Sequence, residues 1–182
     1  MGKITVKVLR EAGHEEALLG MSLSHGTCKD RAARAARLAP KQGGHNKFLE
    51  SIILWLDVRA ARYWWQQADT YRVATKQSES TMHTILKRPL MQGDFARLIH
   101  QPTLDRLNGL LQDQRFEQLK NELPEGFLQR RIWCMSYKTL QNICMQRQHH
   151  RLREWPEFVQ QVLEQIERPE YILPAMAKTP SK

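Results

Sequence analysis

Ser51-Ile52-Ile53-Leu54-Trp55-Leu56-Asp57-Val58 is followed, after Arg59, by Ala60-Ala61-Arg62-Tyr63-Trp64-Trp65-Gln66-Gln67-Ala68-Asp69-Thr70. The first run is short, apolar and rich in branched and aromatic side chains, which suits a strand with a buried face. The second run has no proline or glycine and predicts a helix from Ala60 to Thr70, with Trp64 and Trp65 as core residues.

Working towards the amino terminus, Ile4 to Leu9 reads as another strand. Glu15 to Leu23 reads as a helix with Ala17, Leu18 and Met21 on one face. Asp30 to Leu38 is built of strong helix formers, and Pro40-Lys41-Gln42-Gly43-Gly44 ends it in a loop. Towards the carboxyl terminus, Thr75 to Thr81 is a polar run that predicts a loop or a helix start. One long amphipathic helix is expected from Thr103 to Leu119, with Leu104, Leu107, Leu111, Phe116 and Leu119 as its stripe. Two more helices are expected near Tyr137 to Gln148 and Pro156 to Ile166, the second with proline in its first turn. The pattern is that of an α+β domain dominated by helix, with residues 1–168 forming one domain and 169–182 a tail.

The chain has 182 residues, enough for one domain with a proper core. Its hydrophobic share of 41% and mean hydropathy of -0.59 are those of a soluble globular protein rather than a membrane protein. Met1 to Val8 alternates polar and apolar residues, so it reads as a strand and not as a secretory core. Cys28, Cys134 and Cys144 show no ligand spacing, and reduced thiols in a cytoplasmic protein are the expectation. His149 and His150 adjoin and cannot both face one metal, so no metal site is expected. With 28 basic against 19 acidic residues the net charge is +9, which implies phosphate-bearing ligands, nucleic acid or an acidic partner.

Some residues resist a packing account. Leu140, Ile143, Cys144 and Arg147 fall at i, i+3, i+4 and i+7, which sets Arg147 on an apolar stripe. An inward guanidinium is costly to desolvate unless an anion or acceptors meet it. A buried carboxylate, or a side chain snorkelling from the last turn, are the structural alternatives. Tyr63, Gln67 and Tyr71 recur at i, i+4 and i+8, combining aromatic surface with an amide, as a heterocyclic base requires. Packing in the core is the competing account of that face. Thr75, Gln77, Ser78, Ser80 and Thr81 crowd hydroxyls and amides together, which suits either a phosphate seat or a helix cap at Ser80 or Thr81.

These segments carry a family resemblance. Gly44-His45, Glu50, the strand Ile52 to Leu56, Val58, Ala60, Gln67, Arg72, Ala74, Thr75 and Ser80 follow in order without a gap. Leu123-Pro124 precedes Ser136-Tyr137-Lys138-Thr139-Leu140-Gln141-Asn142-Ile143, ending at Arg147. Gly44 to His83 and Leu123 to Trp155 thereby resemble the flavin-dependent thymidylate synthases. That family's central segment ends in R-H-R-x-x-S-x-N-E-x-S-x-R, and its second block is an N-x-R-S-L-x-N-F-L-x-L-R helix. This chain departs at Thr70-Tyr71 within the R-H-R triplet, at Gln77-Ser78 for Asn-Glu, and at Met82 for the final arginine. Lys87 or Arg88 is expected to restore the lost phosphate charge.

The resemblance implies a helix-rich α+β domain with a small, mostly antiparallel sheet. It implies methyl transfer to C5 of a pyrimidine deoxynucleotide such as dUMP, with FAD as cofactor and NADPH and methylenetetrahydrofolate as co-substrates. It places Arg147 and Ser80 as catalytic residues, converging across a shared cavity on the pyrimidine and its phosphoester. It places Gln67, Ser80, Lys120 and Arg147 at the nucleotide, and His45, Tyr71, Arg72, Lys138 and Asn142 at the flavin. A homotetramer with sites between subunits is implied too. The alternative is a decayed relative that binds nucleic acid or a protein partner through Arg130 and Arg131, recognisable by steeply salt-dependent binding. A nucleotide sensor or assembly subunit, binding dUMP without turnover, is the third option.

Overall fold

A computed structural model of the chain describes residues 4–23, 30–41 and 44–173. Cys28, Gln42-Gly43 and the tail beyond 173 lie outside the described residues. Strand β1 (Thr5–Ala12) leads through Gly13 into helix α1 (His14–Leu23), and α2 (Arg31–Leu38) follows, capped by Asp30. Next come β2 (Ile53–Ala61), α3 (Arg62–Ala68), β3 (Thr75–Ser78) and the single turn α4 (Thr81–Thr84). Helices α5 (Gln101–Gln112) and α6 (Phe116–Glu122) form a hairpin before β4 (Leu128–Ser136). Helices α7 (Tyr137–Arg147) and α8 (Glu154–Leu163) follow, and a 3-10 turn at Pro169–Tyr171 comes last among the described residues.

The sheet is four-stranded and antiparallel throughout, in the order β1-β2-β4-β3. Period-two alternation in β2 decides its faces. Leu54, Leu56, Val58 and Ala60 are fully buried, whereas Ile53, Trp55, Asp57 and Arg59 between them are only half-buried. The buried row packs in one cluster with Trp64 and Trp65 of α3, Leu140 and Ile143 of α7, and Trp155 and Phe158 of α8. A smaller cluster of Leu104, Leu107, Leu110, Leu119, Phe95 and Phe127 closes the α5–α6 hairpin separately. Residues 169–173, the described part of the tail, dock on the body, with Tyr171 and Ile172 fully buried.

The structure corrects four local readings. Ala60 and Ala61 extend the strand, and the helix begins at Arg62. Thr75–Ser78 is a strand; it pairs with β4 through its backbone, with Thr75, Gln77 and Ser78 exposed and Lys76 turned inward over Trp133, so no apolar residue marks its period. Strand β4 itself was not foreseen, because Arg130 and Arg131 interrupt its apolar residues. The expected helix from Thr103 to Leu119 is two helices. Gln114 takes a left-handed φ of 56°, and the Arg115 N–H returns to the Leu110 carbonyl. Arg106 then clamps α5 to α6 through a bidentate pair with Glu122, at 2.6 and 2.7 Å.

Gly13 has φ +90°, and a Cβ there would overlap the Ser51 carbonyl oxygen. Gly13→Ala is therefore expected to cost about 2–3 kcal/mol and lower Tm by roughly 5 °C or more. Thermal unfolding followed by circular dichroism checks this. An unchanged midpoint would mean that the β1–α1 turn re-routes freely.

Candidate functional site

The end of α7 comes to lie against the end of α3, which brings together residues some eighty positions apart. Arg147 Nε donates to the Tyr71 hydroxyl at 2.8 Å, and that hydroxyl donates to Gln146 Oε1 at 3.0 Å. The guanidinium carbon lies 4.7 Å from the centre of the Trp155 ring and 5.6 Å from that of Tyr71. Trp155 Nε1 donates to Gln67 Oε1 at 2.8 Å, and Arg147 Nη1 reaches the same oxygen at 3.5 Å. Arg147 thus meets aromatic faces and a shared amide oxygen rather than a buried carboxylate. Its Nη2 and the Nε2 of Gln67 have no partner among the described residues. Tyr63, the remaining member of the aromatic face, is tied to Glu154 at 2.6 Å, and burial together with that carboxylate pushes its phenol up to about 12.

Beside this cluster opens a cavity of about 980 Å³. Tyr71 and Arg72 line it from the segment after α3, and Lys138 and Asn142 from the first turns of α7. Ile53, Val73 and Met145 supply its apolar surface. Lys138 Nζ donates to Asn46 Oδ1 at 2.7 Å, so the cavity wall is braced against the residue next to His45. His45 itself is exposed and lines a different cavity of about 510 Å³, with α1 and α2. Four of the five residues expected at the flavin therefore share one cavity, and His45 does not.

Ser80 and Lys120 lie at another place, linked through Thr81. Ser80 precedes α4 as its cap residue, without a side-chain capping bond, and is exposed. Lys120 on α6 reaches across to donate to the Thr81 hydroxyl at 2.6 Å. Burial and the neighbouring Arg62 hold the Lys120 ammonium below its usual range, a setting that an incoming anion would relieve. The expected convergence of Arg147 and Ser80 is not met within one chain. Neither lines the 980 Å³ cavity, and they share no hydrogen-bond partner.

Other expected charges are already engaged. Arg88 is bidentate to Asp94, at 2.6 and 2.8 Å, so it is not a spare phosphate ligand. Arg130 is bidentate to Asp57 at 2.6 and 2.8 Å, and Arg131 pairs with Asp69 at 3.0 Å while stacking on Trp65. The basic pair singled out for nucleic acid is thus neutralised by carboxylates. Cys144 is fully buried and its thiol is pushed up to about 12 by desolvation, and burial raises Cys134 as well. Neither offers a thiolate near neutral pH. The sequence reading missed Trp155 and Gln146. Trp155 entered the sequence reading only as the last residue of the resembling block.

The chain has the fold of the flavin-dependent thymidylate synthases, as the resemblance implied. In particular it is similar to thymidylate synthase X (ThyX) of Helicobacter pylori, whose crystal structure holds FAD and dUMP. The TM-score is 0.78 at 16% identity, covering 94% of this chain and 98% of that one. A second structure of that enzyme with the same ligands gives the same TM-score and identity over 93% of this chain. PolB of Streptomyces cacaoi, a UMP/dUMP methylase bound with 5-Br UMP, matches with TM-score 0.69 and 14% identity, over 90% of this chain and 89% of that one. No protein-family model matches the chain, and no curated protein matches it in sequence.

Proposed function

We propose that the protein is a flavin-dependent transferase that adds a one-carbon unit at C5 of a pyrimidine nucleotide. The observation that carries this reading is the pair of unpartnered donors, Arg147 Nη2 and Gln67 Nε2, set beside the 980 Å³ cavity. A uracil ring offers carbonyl acceptors to such donors. As C5 becomes nucleophilic, negative charge grows on those carbonyls, and a fixed guanidinium stabilises it better than water does. The Trp155 and Tyr71 rings hold that guanidinium in place, and Tyr71 anchors Nε, so the cation is oriented before the nucleotide arrives.

The cavity fits a flavin dinucleotide in chemistry and size. Arg72 and Lys138 supply cations for phosphate, Asn142 an amide for ring edges, and Ile53, Val73 and Met145 an apolar wall for the ring system. Reduced flavin would supply the hydride; NADPH and methylenetetrahydrofolate are the proposed co-substrates. Ser80 and Lys120 are the proposed phosphate seat. Since they lie apart from Gln67 and Arg147 within one chain, we infer that a homotetramer brings the Ser80 end of one subunit to the Arg147 end of another.

Titration of the purified protein with FAD, followed by flavin fluorescence, tests the cofactor. Arg72→Ala and Lys138→Ala are each expected to weaken uptake about tenfold to a hundredfold, the loss of one charge-assisted bond. A protein that takes up no FAD, with or without dUMP, would overturn the flavin assignment. A mass measurement by light scattering that returns a monomer would overturn the shared site.

A further inference from the structure

Helix α2 packs through its alanines and leaves its arginines without carboxylates. Ala35 and Ala39 are fully buried, so the helix lies close against the body. Arg31, Arg34 and Arg37 recur at i, i+3 and i+6, and Lys41 follows in the turn that ends the helix. None of the four side chains has an ion pair or hydrogen bond among the described residues. Arg34, Arg37 and Lys41 line one concavity of about 320 Å³, with Leu38 as the other lining residue and no acid among them. Arg34 also faces the adjoining 510 Å³ cavity, where it and Lys47 outnumber the single acid, Glu16. The contrast with Arg88, Arg106, Arg130 and Arg131, each closed by a carboxylate, marks this cluster as charge left open.

We propose that the basic stripe of α2 docks the phosphate backbone of double-stranded nucleic acid, without reading its sequence. A helix with cations every third residue presents one about every 4.5 Å, and a DNA strand one phosphate about every 3.4 Å of axis. An acidic protein partner would need an apolar centre to the interface, which a helix face of arginine and alanine lacks. Single strands are held by runs of exposed aromatic rings, whereas the two concavities offer only the single imidazole of His45 and Phe48, which is 7% exposed. Charge complementarity to a duplex is what remains.

The test is fluorescence anisotropy of a short labelled duplex of random sequence with the full chain, across a range of salt. The wild type is expected to bind with a steep salt slope, and R34Q/R37Q to lose about 1.8 of that slope and about tenfold or more in affinity. Arg130→Gln, whose guanidinium is already paired with Asp57, is expected to bind as the wild type does. If circular dichroism shows R34Q/R37Q unfolded, Lys41→Gln in the exposed turn takes its place, with an expected slope loss of about 0.9. The proposal is overturned if the α2 variant binds like wild type, or if Arg130→Gln is weakened equally. Tighter binding of the single strand, or equal binding of a polyglutamate peptide, would overturn it as well. FAD uptake by R34Q/R37Q is read in parallel. A fall matching that in DNA binding would assign these arginines to the cofactor's diphosphate instead.

Discussion

Arg147→Met is expected to lower pyrimidine methylation by about 10²–10³-fold, with FAD uptake and folding little changed. Methionine keeps a flexible, apolar stem between Trp155 and Tyr71, so the packing of the last turn of α7 survives. What goes is the cation that would stabilise the charge building on the uracil carbonyls, together with its bond to the Tyr71 hydroxyl. Lysine is not a substitute, since it lacks the planar fork that stacks on Trp155 while reaching Gln67 Oε1. Turnover is measured with reduced FAD and methylenetetrahydrofolate on dUMP and on UMP, and Kd for the nucleotide by calorimetry. An Arg147→Met protein with turnover within tenfold of wild type would remove the guanidinium from the chemistry. If nucleotide affinity falls as far as turnover does, the residue binds the ground state and the transition state alike.

Trp155→Ala should be the most destabilising of these changes, by about 3–5 kcal/mol. The side chain is fully buried, with its ring centre 4.4 Å from that of Trp64 and 5.8 Å from that of Phe158. Removal leaves a void in the centre of the α3–α8 contact and takes the donor from Gln67 Oε1. Tm is expected to fall by roughly 6–20 °C, since each kcal/mol shifts a domain of this length by about 2–4 °C. Trp155→Phe separates the two roles. It keeps most of the packing but lets Gln67 turn, so it should cost far less stability while still weakening nucleotide binding. A Trp155→Ala protein melting as the wild type does would contradict the buried role assigned here.

The strand at β2 and the helices at α1, α2, α7 and α8 were legible because composition or spacing within a few residues marks each of them. The branched and aromatic run of Ser51 to Val58 and the stripe Leu140, Ile143, Cys144 depend only on neighbours a few residues away, and Arg147 stood out against that same stripe. Strand β4 was hidden because Arg130 and Arg131 interrupt its apolar residues, and their carboxylates, Asp57 and Asp69, lie sixty or more positions distant. The break at Gln114 was hidden because its left-handed turn is stabilised by the packing of α6 back on α5.

By itself, then, the chain's order of residues determined an α+β unit and the identity of its unusual inward cation, since both follow from spacing within single elements. Only the tertiary structure decided what that cation meets, two aromatic rings and an amide rather than a carboxylate, and that Ser80 stands elsewhere. It alone showed which arginines remain open and which are closed by acids. Such pairings join groups far apart along the chain, and they form where sheet and helices pack, which no local period encodes.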